Sequence, residues 1–281
     1  MQIAGGGGGG ANFCHHPGGL AGFGQAGKVA RGAPPGHFAR ASGTVSMKLW
    51  GRAWPAIVLA LVAAAISCAL WFKFTVPDLA TLPPLKNGDL VFQTDRSTQM
   101  LAIFLATGSL YTHVGIIEID PSGEPYVIEA AAKVRRIPLR DWIRRGYGER
   151  MLVERFQGLS QEAGAAIVQA ASTYYGRPYD IFFNFGKDRI YCSELIFYAY
   201  QEGAQISLGH LQIMSELNLH NFAARKIIQA RWQRDPICQS PMVNSFDSCF
   251  ARIQQQPIIT PVSLKKDARL TTIYTNYGIF E

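Results

Sequence analysis

From about residue 85 onward the chain alternates in ways that predict short strands and a few helices. Asp89-Leu90-Val91-Phe92-Gln93 reads as a first strand and 98–106 as a short helix. Segments 111–119 and 125–131 are rich in Val and Ile and flank the turn-forming run Asp120-Pro121-Ser122-Gly123-Glu124, so they predict a β-hairpin. Further strands are predicted at 134–139 and 151–156. Ser160 is placed to cap a helix whose Ala163, Ala166, Ile167, Ala170, Ala171 and Tyr174 make one inward stripe, with Gly176 and Pro178 ending it. A second helix is expected to begin at Cys192, with Leu195, Ile196 and Ala199 on its buried side. A helix at 221–230 and a late strand at 256–263 complete the pattern. Strands joined by short turns and mixed with helices define an α+β class with a largely antiparallel sheet.

The front of the chain follows other rules. Half of the 28 glycines lie within residues 1–46, which lack the aliphatic periodicity needed to offset ordering entropy. This tract is expected to be disordered or to precede the true start. Met47-Lys48-Leu49-Trp50-Gly51-Arg52 has the form of a basic region that begins an export signal. Residues 54–72 then run 19 positions without a charge. As a helix they span roughly 28 Å, about the hydrocarbon thickness of a bilayer. Trp54 and Trp71 mark the two ends. Residues 47–74 are therefore expected to be a single-pass signal anchor in the cytoplasmic membrane, a cleaved signal peptide being the competing reading. Pro-rich 75–84 reads as a linker, and 85–281 as one exported domain.

Charge changes the picture by exclusion. The formal net charge is +7, but six basic residues precede Asp78, the first acid, leaving 21 basic against 20 acidic residues from there on. A nucleic-acid binder carries its excess on the folded domain, so that class is excluded. Cys14-His15-His16 lies in the Gly-rich tract without a scaffold for further ligands, and no metal or cofactor is expected. The exported part holds Cys192, Cys238 and Cys249, an odd number for an oxidising compartment. Cys238 and Cys249 flank the polar loop 239–248, short enough for a bridge worth ~2–3 kcal/mol, which would leave Cys192 reduced.

Three segments bear on chemistry: Thr112-His113-Val114-Gly115, Val127-Ile128-Glu129-Ala130 and Tyr191-Cys192-Ser193-Glu194. A hairpin centred on Ser122 sets Gly115 opposite Glu129, which makes His113 and Glu129 diagonal neighbours on one face, ~7–8 Å apart at the backbone. A buried Glu129 is costly without a partner, and an imidazole is such a partner. Cys192 at a helix start is placed where the dipole favours a thiolate. The expected set is therefore a Cys192 nucleophile, a His113 base and a Glu129 orienter, with the helix start offering N–H groups to an oxyanion. Tyr191, Tyr179 and Asp180 are candidates for lining the substrate cleft.

These segments, with Gly88-Asp89-Leu90, Tyr175-Gly176-Arg177-Pro178-Tyr179-Asp180, Ser215-Glu216-Leu217-Asn218-Leu219 and the stretch Ile258–Ser263, resemble the YiiX/YebB-like cysteine hydrolases. Those enzymes form the circularly permuted branch of the NlpC-type papain-fold superfamily. In ordinary members Cys precedes His; here His113 and Glu129 precede Cys192, as the permuted branch requires. The resemblance covers roughly 85–280. It implies a permuted papain-like domain and hydrolysis of an amide or ester through a thioester, on a cell-wall peptide or an N-acyl amide. Two alternatives are an acyltransferase using the same three residues on a lipid-like substrate, and a non-catalytic binding module.

Overall fold

The computed structural model describes residues 50–74 and 76–278, with side chains at 54–68 and 76–278. The Gly-rich tract 1–46 and the start at Met47 lie outside the described residues. Chain contacts separate 1–54 from 55–281, and of the first unit only the beginning of one helix is described. That helix, α1, runs Trp50–Phe74, and its described side chains, 54–68, are all exposed. Among the described residues no helix is long and apolar enough to cross a membrane. The uncharged stretch 54–72 extends to side chains outside that set.

The domain is built on a six-stranded antiparallel sheet in the order β4-β3-β2-β1-β5-β8. In chain order its strands are β1 (Leu90–Gln93), β2 (His113–Ile119), β3 (Pro125–Ala130), β4 (Val134–Pro138), β5 (Leu152–Phe156) and β8 (Leu270–Thr275). Between β1 and β2 lies α2 (Met100–Thr107), ended by Gly108 in the left-handed region at φ 67°. After β4 comes α3 (Leu139–Arg145), and after β5 come α4 (Gln161–Ser172) and α5 (Cys192–Ala204). The remainder comprises β6 (Gln212–Ile213), α6 (Phe222–Gln229), α7 (Phe246–Ile253), β7 (Pro257–Ile258) and α8 (Pro261–Lys265).

Period-two alternation gives the sheet two apolar faces. Leu90, Phe92, Val114, Ile116 and Ile128 meet Ile167 and Ala171 of α4 and Leu195, Ile196 and Ala199 of α5. On the other face, Val91, Ile117, Val127 and Val153 meet Leu139, Trp142 and Ile143 of α3. The helices α4 and α5 approach closely at Gly203, where an added Cβ would lie 2.6 Å from the Ala166 carbonyl oxygen. Such overpacking against backbone costs about 1–3 kcal/mol, which explains a glycine inside a helix. Arg155 clamps Asp89 through Nε and Nη2, both at 2.7 Å, and Tyr200 Oη donates to the Gly88 carbonyl, fixing the entry to β1.

Two expectations are corrected. The Pro-rich segment 75–84 is not a free tether: Asp78 caps a single turn, Leu79–Thr81, and Leu79 and Leu82 lie against the second apolar face. The late strand at 256–263 shrinks to β7, paired with β6. Its remainder becomes α8, because Thr260 accepts the Ser263 N–H as an N-cap and Pro261, lacking an N–H, suits the first helical turn. The sheet ends instead in β8, antiparallel to β5. A disulfide joins Cys238 to Cys249 with Cα atoms 5.1 Å apart, and Cys68 and Cys192 are free.

Candidate active site

Register brings the first two polar groups together. Ile116 pairs with Ile128 and Ile117 with Val127, so one step further Gly115 lies opposite Glu129. His113 and Glu129 are then diagonal on the face that carries Trp142, and His113 Nε2–H donates to Glu129 Oε2 at 2.8 Å. Gly115 clears the space between them; a Cβ there would meet Val127 Cγ1 at 2.4 Å. Trp142 stacks on the imidazole, ring centroids 6.1 Å apart and 25° from parallel.

Glu129 is fully buried yet charged, and its partners explain why. Besides His113, it accepts from Arg135 Nε at 3.0 Å and from Arg145 Nη2 at 2.5 Å. Burial pushes its pKa up, but the His113 hydrogen bond and the His113 and Arg145 charges outweigh burial and hold it at about 2. For His113, burial alone disfavours the imidazolium. The hydrogen bonds and negative charges of Cys192 and Glu129 overcome it and raise the pKa from 6.5 to about 10. With Nε2 committed to Glu129, Nδ1 is the nitrogen left for sulfur.

Cys192 is the first residue of α5, buried, and near enough to His113 to help raise the imidazole's pKa. The first N–H groups of an α-helix have no intrahelical acceptor, so the start of α5 at Cys192 offers donors of the kind an oxyanion needs. Glu194 completes the cap: its carboxylate accepts from the Tyr191 N–H at 3.4 Å and the Gly186 N–H at 2.6 Å. Burial pushes its pKa up to about 8, so near neutral pH it is mostly uncharged and adds little negative charge beside the sulfur. A histidine near a buried cysteine at a helix start is an arrangement that can serve a thiol nucleophile.

The other candidates divide. Tyr179 lines the groove with His113, and burial and the nearby Cys192 raise its pKa, so its hydroxyl stays protonated. Tyr191 is placed differently from expectation: its ring is in the core, edge-on to Phe183, and its hydroxyl accepts the Ile259 N–H at 3.1 Å. It is committed to holding the 258–261 segment. Asp180 is likewise withdrawn from the cleft, because its carboxylate accepts the Phe182 and Asn184 N–H groups and organises the loop before α5. Sequence reasoning missed Arg135, Arg145 and Trp142. Arg135 stands directly opposite Glu129 across β3 and β4, so extending the hairpin register by one strand would have found it. Arg145 and Trp142 come from α3, a seven-residue helix that begins at the last residue of the expected strand 134–139 and for which no element was expected.

Two spaces meet at the site. An apolar cavity of about 100 Å³ has Cys192 in its wall, along with Ile103, Met214, Leu219, Ile228 and Ile259. A more polar groove of about 350 Å³ runs past His113, Tyr179, Asp95, Arg145 and Arg189. Ile103 and Ile181 border both. Among the described residues no group of three or more His, Cys, Asp or Glu is arranged to hold a metal ion.

An antiparallel sheet packed against a Cys-bearing helix start points to a papain-like class, and comparison with known families shows the permuted branch of it. Residues 84–274 match the model of the permuted papain-like amidase enzymes, the YaeF/YiiX, C92 family, and the chain belongs to it. It is 31% identical over 207 residues to the uncharacterized protein YiiX of Escherichia coli strain K12, covering 73% of this chain and 93% of that one. A solved structure, that of the metalloprotein YiiX from Escherichia coli O157:H7, superposes with a TM-score of 0.60 at 30% identity, over 69% of this chain and 98% of that one.

Proposed function

We propose that the protein is a thiol amidase acting on acyl amides with an apolar acyl group, through a thioester on Cys192. The observation that carries this reading is the apolar cavity with Cys192 in its wall. Peptides of the cell wall are polar along their length, and burying their amides in such a space without partners costs several kcal/mol, on the order of 2–7 per group. In this mechanism the Cys192 thiolate adds to the acyl carbonyl while the N-terminal N–H groups of α5 hold the oxyanion. The C–N bond breaks as His113 gives its proton to the leaving nitrogen. Water, deprotonated by His113, then hydrolyses the thioester and returns the free thiol. Glu129 orients the imidazole throughout.

The test is a series of N-acyl amides of increasing chain length beside muropeptides. kcat/KM is expected to rise about fourfold per methylene until the cavity is filled, from ~0.8 kcal/mol per buried CH₂. A flat chain-length dependence, or cleavage of muropeptides alone, would overturn the reading. Transfer to an amine acceptor would use the same thioester; free fatty acid as the main product in the presence of an added amine is the expected outcome, and an acylated amine would point to the transferase.

The domain is proposed to work outside the cytoplasm, held by segment 47–74. Support comes from Lys48 and Arg52 ahead of 19 uncharged residues, and from a disulfide of the kind that persists in oxidising compartments. An alkaline-phosphatase fusion after residue 85 is expected to be active and a cytoplasm-dependent fluorescent fusion dark; the reverse pattern would refute the topology.

A further inference from the structure

The two spaces at the site differ in chemistry, and the reaction assigns an end of the substrate to each. The nitrogen that leaves must receive its proton from His113, and His113 lines the polar groove, whereas Cys192 lines the apolar cavity. If the acyl chain occupies the cavity, the amine half of the substrate therefore occupies the groove. This step rests on the acyl-amide reading proposed above.

The charged groups of the groove are unequally committed. Arg145 gives Nη2 to Glu129. Asp95 accepts from the Thr112 hydroxyl at 3.2 Å and from the Ser97 N–H at 3.3 Å. Asp180, the acid whose charge is felt at Arg189, is turned to the Phe182 and Asn184 N–H groups of its own loop. Arg189 is different. It is exposed, gives Nη2 to the Tyr179 carbonyl at 2.9 Å, and among the described residues forms no ion pair. Its contact with the Tyr179 carbonyl holds the guanidinium on the wall of the groove that His113 and Tyr179 also line. A planar guanidinium with uncommitted N–H groups is matched to a carboxylate.

We propose that Arg189 reads a carboxylate on the leaving amine, so that the substrates are N-acyl amino acids and the products are a fatty acid and a free amino acid. The balance is that of simple hydrolysis. The thiolate forms the C–S bond, the C–N electrons go to nitrogen with the His113 proton, and water supplies the oxygen of the new carboxylate.

The experiment holds the acyl chain constant and varies the charge of the amine: N-octanoylglycine, N-octanoylglycinamide and N-octanoylethylenediamine, assayed with the full chain. Wild type is expected to favour the carboxylate over the neutral amide by at least about tenfold in kcat/KM, mainly through KM. Arg189→Gln is expected to bring that ratio to within about threefold, and Arg189→Lys to keep part of it. Because the ratio is taken within each variant, general damage to the loop cancels. Equal or better cleavage of the neutral or cationic amide by wild type, or an unchanged ratio in Arg189→Gln, would overturn the proposal while leaving the acyl-amidase reading intact. If no amide is turned over, that reading fails. Calorimetry with Cys192→Ala then decides the subsite alone: tighter binding of octanoylglycine than of octanoylglycinamide supports it, and equal binding removes it.

Discussion

Replacing either Cys192 or His113 by Ala is expected to abolish amide hydrolysis, and the double variant is expected to be no slower than either single one. In the proposed reaction the two groups act on one proton, so removing either leaves the other without a task. Losses on the order of 10⁴-fold or more are the rule for residues that act as a unit, and they do not add. Cys192→Ala should still bind substrate, because the cavity wall and the groove remain. Steady-state rates of the three variants, with urea denaturation as a check on folding, measure this. Additive losses, or substantial activity in His113→Ala, would separate the pair.

Glu129→Gln is expected to lower kcat by about 10²–10⁴-fold and to shift the pH profile. In the wild type the negative charge of Glu129 helps raise His113 to about 10. The imidazolium, needed to protonate the leaving nitrogen, is lost as pH rises through that value, so the alkaline limb of kcat/KM should fall near there. Gln removes the anion but leaves Arg135 and Arg145 beside the ring, where their positive charge further disfavours the imidazolium. The alkaline limb must therefore move to lower pH. The limb belongs to the coupled Cys192–His113 pair, so its displacement is the quantity to read rather than an assignment to one group. An alkaline limb left in place would contradict the assigned role of Glu129.

What could be read from the sequence follows from how local each cause is. The hairpin of β2 and β3 has a compact turn at 120–124 and strong alternation, so its register, and with it the meeting of His113 and Glu129, followed from counting. The starts of α4 and α5 were marked by Ser160 and by the apolar spacing after Cys192. Causes acting across the chain left no such mark. Only two turns long, α3 carries an Arg-rich exposed side, so its Leu139, Trp142 and Ile143 stripe is too short to mark a helix after the strand expected at 134–139. The outer partner of β5 lies more than a hundred residues away in β8, where no turn fixes a register. Tyr191 and Asp180 were candidates for the cleft as members of the segments 175–180 and 191–194 that carry the resemblance. Their true partners, the Ile259 N–H and the N–H groups of 182 and 184, depend on loop paths that periodicity does not encode.

The central claim is that the acyl group passes through Cys192. A single turnover with an N-octanoyl anilide, quenched in acid within the burst and digested for mass mapping, tests it most directly. The account predicts one octanoyl mass on the peptide containing Cys192, discharged when the quench is delayed and absent from His113→Ala. An octanoyl group on Ser193, Cys68 or any other residue, or product release at full rate with Cys192 never acylated, would contradict it.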